Sequence, residues 1–275
     1  MSIAASTQRL MHNAAMSELT LTQLVLIGLC FIWSGFVRSG LGFGGAALTL
    51  PLLLLIVDDP LLFLPLIAVQ LLVFSTLITW QSHRQAAQSR AAGTRNDGTI
   101  DWAYLRQSLW AILPTKLLGV FGLLTLPGPL VSVLIFIIVL VYALSYLIDK
   151  PFTSQHRWSD RLFLALGGYV SGTSLMGAPL MIAVYGSHVA RHQLRETLFV
   201  LWMVLVVIKL GSFMLLGVDM QWQHQLWLLP CVTLGHFAGL RFHARLQQTR
   251  PIVFYRVLGS ALLLISAIGL WRALV

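Results

Sequence analysis

Long apolar runs follow one another along most of this chain and set its fold class. The run at 129–148 carries no charge, and the run at 197–217 carries a single lysine. At about 1.5 Å per residue, about twenty helical residues cross a hydrocarbon core of roughly 30 Å. The apolar residues are continuous and do not alternate with a period of two, which argues against a β-barrel. The pattern therefore predicts an all-α polytopic membrane protein.

The apolar segments form two series of five, and the second segment of each series is short. These short segments, 43–57 and 178–187, each follow a glycine-rich break and are too short for an ordinary spanning helix. The other segments are 21–38, 61–81, 104–125 and 130–148 in the first series, and 161–176, 196–216, 223–243 and 252–271 in the second. The longest polar stretch, 81–101, is predicted to be a mobile loop.

Sequence echoes between the two series indicate an internal duplication. The stretch 40–55 aligns with 172–187, which pairs Gly40 with Gly172 and Gly45 with Gly177. Further echoes keep the same order: 98–102 with 217–222, 113–119 with 229–235, and 129–134 with 251–258. Repeated order of this kind is typical of a repeat architecture. The predicted parts are an N-terminal tail (1–20), a first transmembrane repeat (21–148), a cytoplasmic linker (149–160) and a second transmembrane repeat (161–275).

The distribution of basic residues decides how the repeats are oriented. If each glycine-broken pair crossed the membrane once, the loop cations would divide nine against five between the two faces. If each pair enters and returns, as a re-entrant hairpin or as two spans, the division becomes twelve against two. The twelve are Arg84, Arg90, Arg95, Arg106, Lys150, Arg157, Arg161, Arg191, Arg195, Arg241, Arg245 and Arg250, and the two are Arg9 and Arg272. Because cytoplasmic loops carry the excess of Lys and Arg, the sequence predicts inverted-topology repeats with both termini outside, in the periplasm.

Composition narrows the function classes. Charged residues make up 10% of the chain, against about 25% in an average soluble domain, and mean hydropathy is +0.83. Basic loops of a membrane protein explain the net charge of +9, so no nucleic-acid partner is expected. Cys30 and Cys231 lie in apolar runs and are interpreted as packing residues. Walker A, Rossmann and zincin patterns are missing from the sequence, and we predict no enzymatic activity, no cofactor and no metal site.

The two glycine-rich breaks, 40–51 and 172–179, are the first candidates for a binding site. Transporters with inverted repeats and broken helices bind substrate near the membrane midplane. Glycine lets backbone N–H groups approach a ligand, and a helix N-terminus adds free donors and a partial positive charge. The alternative is that these glycines only allow close helix packing. Two clusters at matched positions favour the binding site.

Three cations lie in apolar segments that contain no acidic partner. Lys116 and Lys209 are near the centres of their segments, and Arg38 precedes the first glycine cluster by two residues. A buried lysine is satisfied by losing its proton or by an anionic ligand, and Arg38 has the further option of reaching the interface along its own stem. We favour the anionic ligand for all three. Further donors to such an anion are Thr173, Ser174, Gln70, Ser75 and Thr76.

Two histidines, His188 and His192, are one helical turn apart beside Arg191 and Arg195. This spacing suits a metal ion or a proton sensor. A basic loop that faces anionic lipid is the interpretation we favour.

At the two breaks the chain resembles the sulfite exporter TauE/SafE family, also called the toluene sulfonate uptake permease family. The resemblance rests on GFVRSGLGFGGAALTLPLLLL (35–55) and GGYVSGTSLMGAPLMIAVY (167–185), with support from 98–102 and 192–198, and it covers about residues 25–272. It implies that the motif residues are Gly40, Gly42, Gly44, Gly45 and Pro51, then Gly172, Gly177 and Pro179. The family often has a further glycine where this chain has Leu175 or Met176, which predicts a tighter, more apolar site that leaves room for an organic tail.

The resemblance implies transport of sulfur-containing anions, such as sulfite, sulfoacetate and aryl or alkyl sulfonates, across the bacterial inner membrane. We expect a secondary carrier for such an oxyanion that works by alternating access, with export favoured by the membrane potential. The expected partners are the small anionic substrate and the lipid bilayer, and a homodimer is left open. The alternatives are an anion channel, a carrier for a carboxylate, and an integral-membrane enzyme or assembly factor.

Overall fold

The computed structural model describes residues 19–41, 45–91, 99–148, 152, 156–246 and 251–274. Within these residues the chain forms α-helices joined by short turns, and no β-strand occurs. The first half contains α1 (Leu21–Leu41), α2 (Gly45–Ile56), α3 (Pro60–Ala91), α4 (Trp102–Thr125) and α5 (Gly128–Leu147). The second half contains α6 (Arg157–Ser174), α7 (Ala178–His188), α8 (Arg191–Leu215), α9 (Trp222–Leu246) and α10 (Pro251–Leu274).

The helices coincide with the predicted apolar segments, and the all-α polytopic class is confirmed. Among the described helices, α1, α3, α4, α5 and α8 contain an apolar stretch long enough to cross a membrane. The helices α2 and α7 have 12 and 11 residues, so their lengths of roughly 18 Å and 16 Å fall short of a hydrocarbon core. Each therefore forms the short second arm of a helix pair.

The polar stretch 81–101 differs from its prediction as a loop. Helix α3 continues to Ala91, so the first half of this stretch is helical. Its sequence, QSHRQAAQSRA, is rich in good helix formers that extend a helix already nucleated in the apolar segment before it. Residues 92–98 lie outside the described residues. Helix α6 begins at Arg157, inside the predicted linker 149–160.

The two halves interlock through pairs of helices. Helix α1 of the first half packs most extensively on α9 of the second, and α6 of the second half packs most extensively on α4 of the first. The remaining large contacts join α5 to α10 and α3 to α8. Exchanging the first five helices for the last five leaves this set of pairings unchanged. The predicted division into two repeats is therefore compatible with the packing, and their inverted orientation in a membrane stays a prediction.

Glycines set the close approach at the two crossing pairs. A Cβ at Gly235 of α9 would lie 1.9 Å from the carbonyl oxygen of Ile32 on α1. A Cβ at Gly172 of α6 would lie 2.3 Å from the carbonyl oxygen of Lys116 on α4. Both distances are shorter than any van der Waals contact, so each crossing depends on a missing side chain. Small residues are the usual means of bringing helix backbones together in a membrane.

The turn between α6 and α7 is held in an uncommon backbone conformation. Leu175 ends α6 with φ at 62°, in the left-handed region, and its N–H donates to the carbonyl oxygen of Ser171 at 3.2 Å. The chain then returns through Gly177, where a Cβ would lie 2.1 Å from the carbonyl oxygen of Gly167. Left-handed backbone is the commonest way to end a helix and usually belongs to glycine. The equivalent turn between α1 and α2 covers residues 42–44, outside the described residues.

Many large apolar side chains lie on the outer surface of the helices. Trp110, Phe121, Leu215 and Leu226 are each more than half exposed. A soluble monomer rarely exposes a contiguous apolar surface of this kind. The outward faces are therefore suited to lipid, as the polytopic class requires.

We predict that Gly235→Ala lowers the stability of the fold by about 1–3 kcal/mol, because the added methyl forces α1 and α9 apart. The measurement is thermal unfolding of the purified protein in detergent. Gly211→Ala is the matched control, since the Cβ of that helical residue meets nothing within 4 Å. Equal melting temperatures for the two variants would contradict the proposed role of Gly235.

Candidate functional site

A small cavity lies between the two helix breaks. Its walls come from the start of α2, the turn into α7, the end of α6, and the facing sides of α1, α3 and α8. The lining residues are Arg38, Gly45, Ala46, Ala47, Leu71, Ser171, Leu175, Gly177, Ala178, Phe199, Trp202, Leu205 and Val206. The cavity has a volume of about 40 Å³, which is enough room for a group of a few atoms. Both halves of the chain thus contribute to the wall of one cavity.

Arg38 supplies the charge on the cavity wall. Its side chain is 1% exposed and lies on the last turn of α1. Nη1 donates to the carbonyl oxygen of Gln70 at 3.2 Å, and Nη2 donates to Oγ of Ser34 at 3.4 Å. The guanidinium carbon is 5.5 Å from the ring centre of Phe74, within the range of a cation–π contact. These contacts fix one edge of the guanidinium in the protein.

The other edge of Arg38 keeps an unused donor. Nε is buried and has no hydrogen-bond partner among the described residues. A Cβ at Gly45 would lie 3.3 Å from that Nε, so the missing side chain at Gly45 leaves space beside it. The side-chain amide of Gln70, also buried, has no described partner for its oxygen or its nitrogen. Buried polar groups without partners are uncommon and call for an explanation such as a ligand or an ordered water.

Lys116 and Lys209 lie behind the cavity, at the C-terminal end of α6. Both side chains are fully buried. Nζ of Lys116 donates to Oγ of Ser171 at 3.1 Å and to its carbonyl oxygen at 3.4 Å. Nζ of Lys209 donates to the carbonyl oxygens of Gly172 at 2.7 Å and Thr173 at 3.1 Å. The last carbonyls of a helix lack partners within the helix and carry a partial negative charge, so Lys209 caps α6, and Lys116 adds contacts to Ser171 one turn earlier.

The three cations are therefore satisfied in different ways. None of the described carboxylates forms an ion pair with Arg38, Lys116 or Lys209. The lysines use backbone carbonyls, an arrangement that the sequence analysis did not consider. Only Arg38 of the three is among the residues that line the cavity.

The remaining predicted residues divide between the cavity wall and the helix contacts. Gly45 and Gly177 line the cavity, whereas Gly172 is placed in the contact of α6 with α4 and Gly40 lies near Gly239 of α9.

The hydroxyls of Thr173 and Ser174 donate to carbonyls of α6 itself, including that of Val170 at 3.1 and 2.9 Å. Pro179 lies in the first turn of α7, and Pro51 is buried inside α2. Gly42 and Gly44 lie outside the described residues.

The histidines near the α7–α8 turn are separated by the structure. Nε2 of His188 is 3.3 Å from the carboxylate of Asp160, and its ring stacks on Tyr104. His192 is exposed on the first turn of α8. His188 thereby joins the end of α7 to the beginning of α6.

Comparison with protein families decides the assignment. The family described as "Sulfite exporter TauE/SafE" matches residues 26–270, nearly the whole chain. The chain belongs to this family. Its members are membrane transporters of sulfur anions, and the protein is accordingly a multi-pass membrane transporter of that kind. No curated protein and no solved structure gives a significant match.

Sequence reasoning missed two groups of residues at this family member's site. Ser171 both lines the cavity and accepts from Lys116, and its place between Gly167 and Gly172 was the available signal. Phe74 and His236 lie beside Arg38 and its neighbour Ser39, and no pattern in the sequence marks them because they come from α3 and α9.

We predict that Lys209→Met lowers the free energy of unfolding by about 1–3 kcal/mol, because it keeps the apolar stem and leaves two buried carbonyls without their donor. Thermal unfolding in detergent is the measurement. Val207→Met, on the exposed side of α8, is the control for a substituted methionine. A melting temperature for Lys209→Met at or above that of the unchanged protein would show that the cap contributes nothing.

Proposed function

We propose that the protein is a secondary carrier that exports sulfite, or a small organosulfonate such as sulfoacetate, across the bacterial inner membrane by alternating access. The observation that carries this proposal is the buried guanidinium of Arg38, with its unused Nε, on the wall of a cavity between the two helix breaks. The family assignment supports the chemical class of the cargo.

Charge supports an anion as the occupant of the cavity. A buried arginine is always charged and stays costly in an apolar medium until an opposite charge or enough acceptors surround it. The described contacts of Arg38 are two neutral acceptors and an aromatic ring. An oxyanion in the cavity would supply acceptors of the opposite charge, and the planar guanidinium suits oxygens fixed on one sulfur atom.

The helix breaks support recognition through the backbone. Helices α2 and α7 both begin at the cavity, with Gly45 and Ala178 as their first residues. The first N–H groups of a helix have no partner within the helix and carry a partial positive charge. Two such helix starts and one guanidinium give the cavity a positive character without any lysine on its wall.

The size of the cavity supports a small cargo. A volume of about 40 Å³ suits a single sulfur oxyanion, and the apolar walls from Leu175, Trp202 and Val206 suit a short carbon tail. Sulfite is therefore our first choice, followed by short sulfonates. A carboxylate is the alternative of similar charge, and it offers two oxygens to Arg38 where a sulfonate offers three.

Alternating access is supported by the placement of the cavity between halves that interlock. Carriers built from inverted repeats expose a fixed midplane site by rocking one bundle against another. The α1–α9 and α4–α6 pairs, which glycines hold closely together, are natural rigid units for that motion. We assign the basic loops to the cytoplasm and both termini to the periplasm, as the distribution of Lys and Arg favours.

The direction of transport follows from the membrane potential. An interior-negative potential contributes about 2.3 kcal/mol per charge per 100 mV, and it pushes an anion outwards. We therefore propose export. A channel would use the same field, but a small cavity lined by both halves of the chain suits the fixed central site of a carrier.

We predict that Arg38→Gln reduces counterflow of labelled sulfite in proteoliposomes by about tenfold or more at subsaturating sulfite, because a hydrogen bond to a charged group contributes about 1.5–3 kcal/mol. The unchanged protein should show saturable uptake that is stimulated by sulfite on the far side. Arg84→Gln is the matched control, since Arg84 is exposed on α3 and stacks on Trp80.

Two results would count against this prediction. Equal counterflow for Arg38→Gln and Arg84→Gln would remove Arg38 from recognition. Flux that rises linearly with sulfite and shows no stimulation from the far side would favour the channel.

We predict that Ala178→Leu narrows the cavity and raises the half-saturation concentration for sulfoacetate more than that for sulfite. One extra apolar group in a pocket discriminates by about 1–3 kcal/mol, or about tenfold or more. Competition of each anion against labelled sulfite provides the measurement. Ala103→Leu, on an exposed position of α4, serves as the control. An equal effect on both anions would argue that the carbon tail does not lie against α7.

A further inference from the structure

A buried histidine lies beside the candidate anion site. His236 belongs to α9 and is 8% exposed. Its Nδ1 is hydrogen-bonded to Oγ of Ser39, the residue that follows Arg38 on α1. The histidine therefore links α9 to the end of α1, close to the guanidinium on the cavity wall.

Phe74 of α3 connects the two side chains from the other side. Its ring centre is 5.1 Å from that of His236 and 5.5 Å from the guanidinium carbon of Arg38. A ring within about 6 Å of a cation attracts it through its quadrupole. The ring of Phe74 thus contacts both a permanent cation, Arg38, and a side chain that can become a cation, His236.

Among the described residues around His236, the charged group that lies close to it is the guanidinium of Arg38. On α1, the other titratable side chain is Cys30, two turns earlier in the helix. On α3, Arg84 is exposed and stacks on Trp80. On α9 itself, His224 is hydrogen-bonded to Trp227, the Cys231 thiol donates to the carbonyl oxygen of Trp227, and Arg241 is exposed. No described carboxylate forms an ion pair with His236.

The hydrogen bond with Ser39 suits both charge states of the ring. A hydroxyl donates to Nδ1 of the neutral ring and accepts from the same nitrogen when it carries a proton. Protonation therefore costs no hydrogen bond at this contact. What opposes it is, first, the burial of the ring, which disfavours a charge there, and then the positive charge of Arg38.

We propose that His236 is a proton-binding site linked to the anion site, so that the carrier takes up a proton at His236 when an anion binds at Arg38. This inference rests on the proposed function and adds a residue and a coupled ion to it. A second positive charge beside Arg38 is unfavourable in the empty site and becomes favourable once an anion offsets the first. Linkage is reciprocal, so the anion binds more tightly as the pH falls and His236 gains its proton.

The linked proton changes the charge that each cycle moves. A monoanion that travels with one proton is electrically neutral, and the membrane potential does not drive it. A dianion that travels with one proton still carries one negative charge outwards. The coupling therefore favours doubly charged cargo, such as sulfoacetate or the fully deprotonated form of sulfite, over singly charged sulfonates as the cargo that the potential exports.

The test measures binding of methanesulfonate to the purified protein by calorimetry at several pH values, from about pH 6 to about pH 8, where a histidine titrates. Methanesulfonate keeps one charge over this range, so any change of its affinity comes from the protein. We expect the dissociation constant of the unchanged protein to rise with pH by up to about tenfold per unit, the limit for one linked proton. In His236→Gln, which keeps a hydrogen-bonding side chain, the pH dependence should disappear. His224→Gln, on the same helix, should retain it.

Proton uptake by the unchanged protein is a second readout that needs no variant. Calorimetry in buffers of different ionisation enthalpy should give an uptake of up to about one proton per bound anion. No uptake, or an equal pH dependence in the unchanged protein and in a folded His236→Gln, would overturn the inference while leaving anion binding intact. If neither sulfite nor methanesulfonate binds at any pH, the proposed function fails, and the inference fails with it.

Discussion

The structure depends on one constraint, which is that every polar group of the backbone must find a partner inside an apolar medium. A helix that ends inside the protein leaves its last carbonyls without partners, and α6 ends in this way at the buried Ser174. Lys209 of α8 supplies the missing donors to Gly172 and Thr173, and Lys116 of α4 adds contacts to Ser171 one turn earlier. Because those helices come from different halves of the chain, the end of α6 is fixed by the way the halves interlock. The cavity owes its position to that arrangement, since the turn held by the lysines forms part of its wall.

The cations at the two breaks make different contacts, and as a result the first break alone presents a cation to the cavity. At the second break, both ammonium groups donate to oxygens of α6, Lys116 to Ser171 and Lys209 to the carbonyls of Gly172 and Thr173. At the first break, Arg38 makes contacts with Ser34 and Gln70 and keeps a buried Nε beside the space that Gly45 leaves. A protein that needed only a closed structure would satisfy that donor from within. The asymmetry supports our proposal that the anion is recognised at the first break, whereas the second break serves the fold.

Much of this arrangement is readable from the sequence, because membrane helices are set by length and apolar composition. The segment boundaries, the short arms α2 and α7, and the position of Arg38 at a break all follow from local patterns. The role of Lys209 does not, because a lysine that caps a distant helix and a lysine that binds an anion look alike in sequence. His236 was missed for a similar reason, since only the crossing of α1 and α9 brings it to Ser39. The helical extension of α3 to Ala91 shows the opposite case, where polar composition concealed residues with good helix propensity.

The same contacts restrict how a carrier with this fold can move. Lys116 and the close contact at Gly172 join α6 to α4, and Lys209 joins α6 to α8, so we expect these helices to move as one body. Gly235 joins α9 to α1, and the bond between Ser39 and His236 reinforces that second body beside Arg38. The cavity is lined by residues of both bodies, and α3 adds Leu71 to its wall. An anion held by Arg38 from one side and by the start of α7 from the other would therefore draw the bodies together, which ties occupancy of the site to the motion that exposes it.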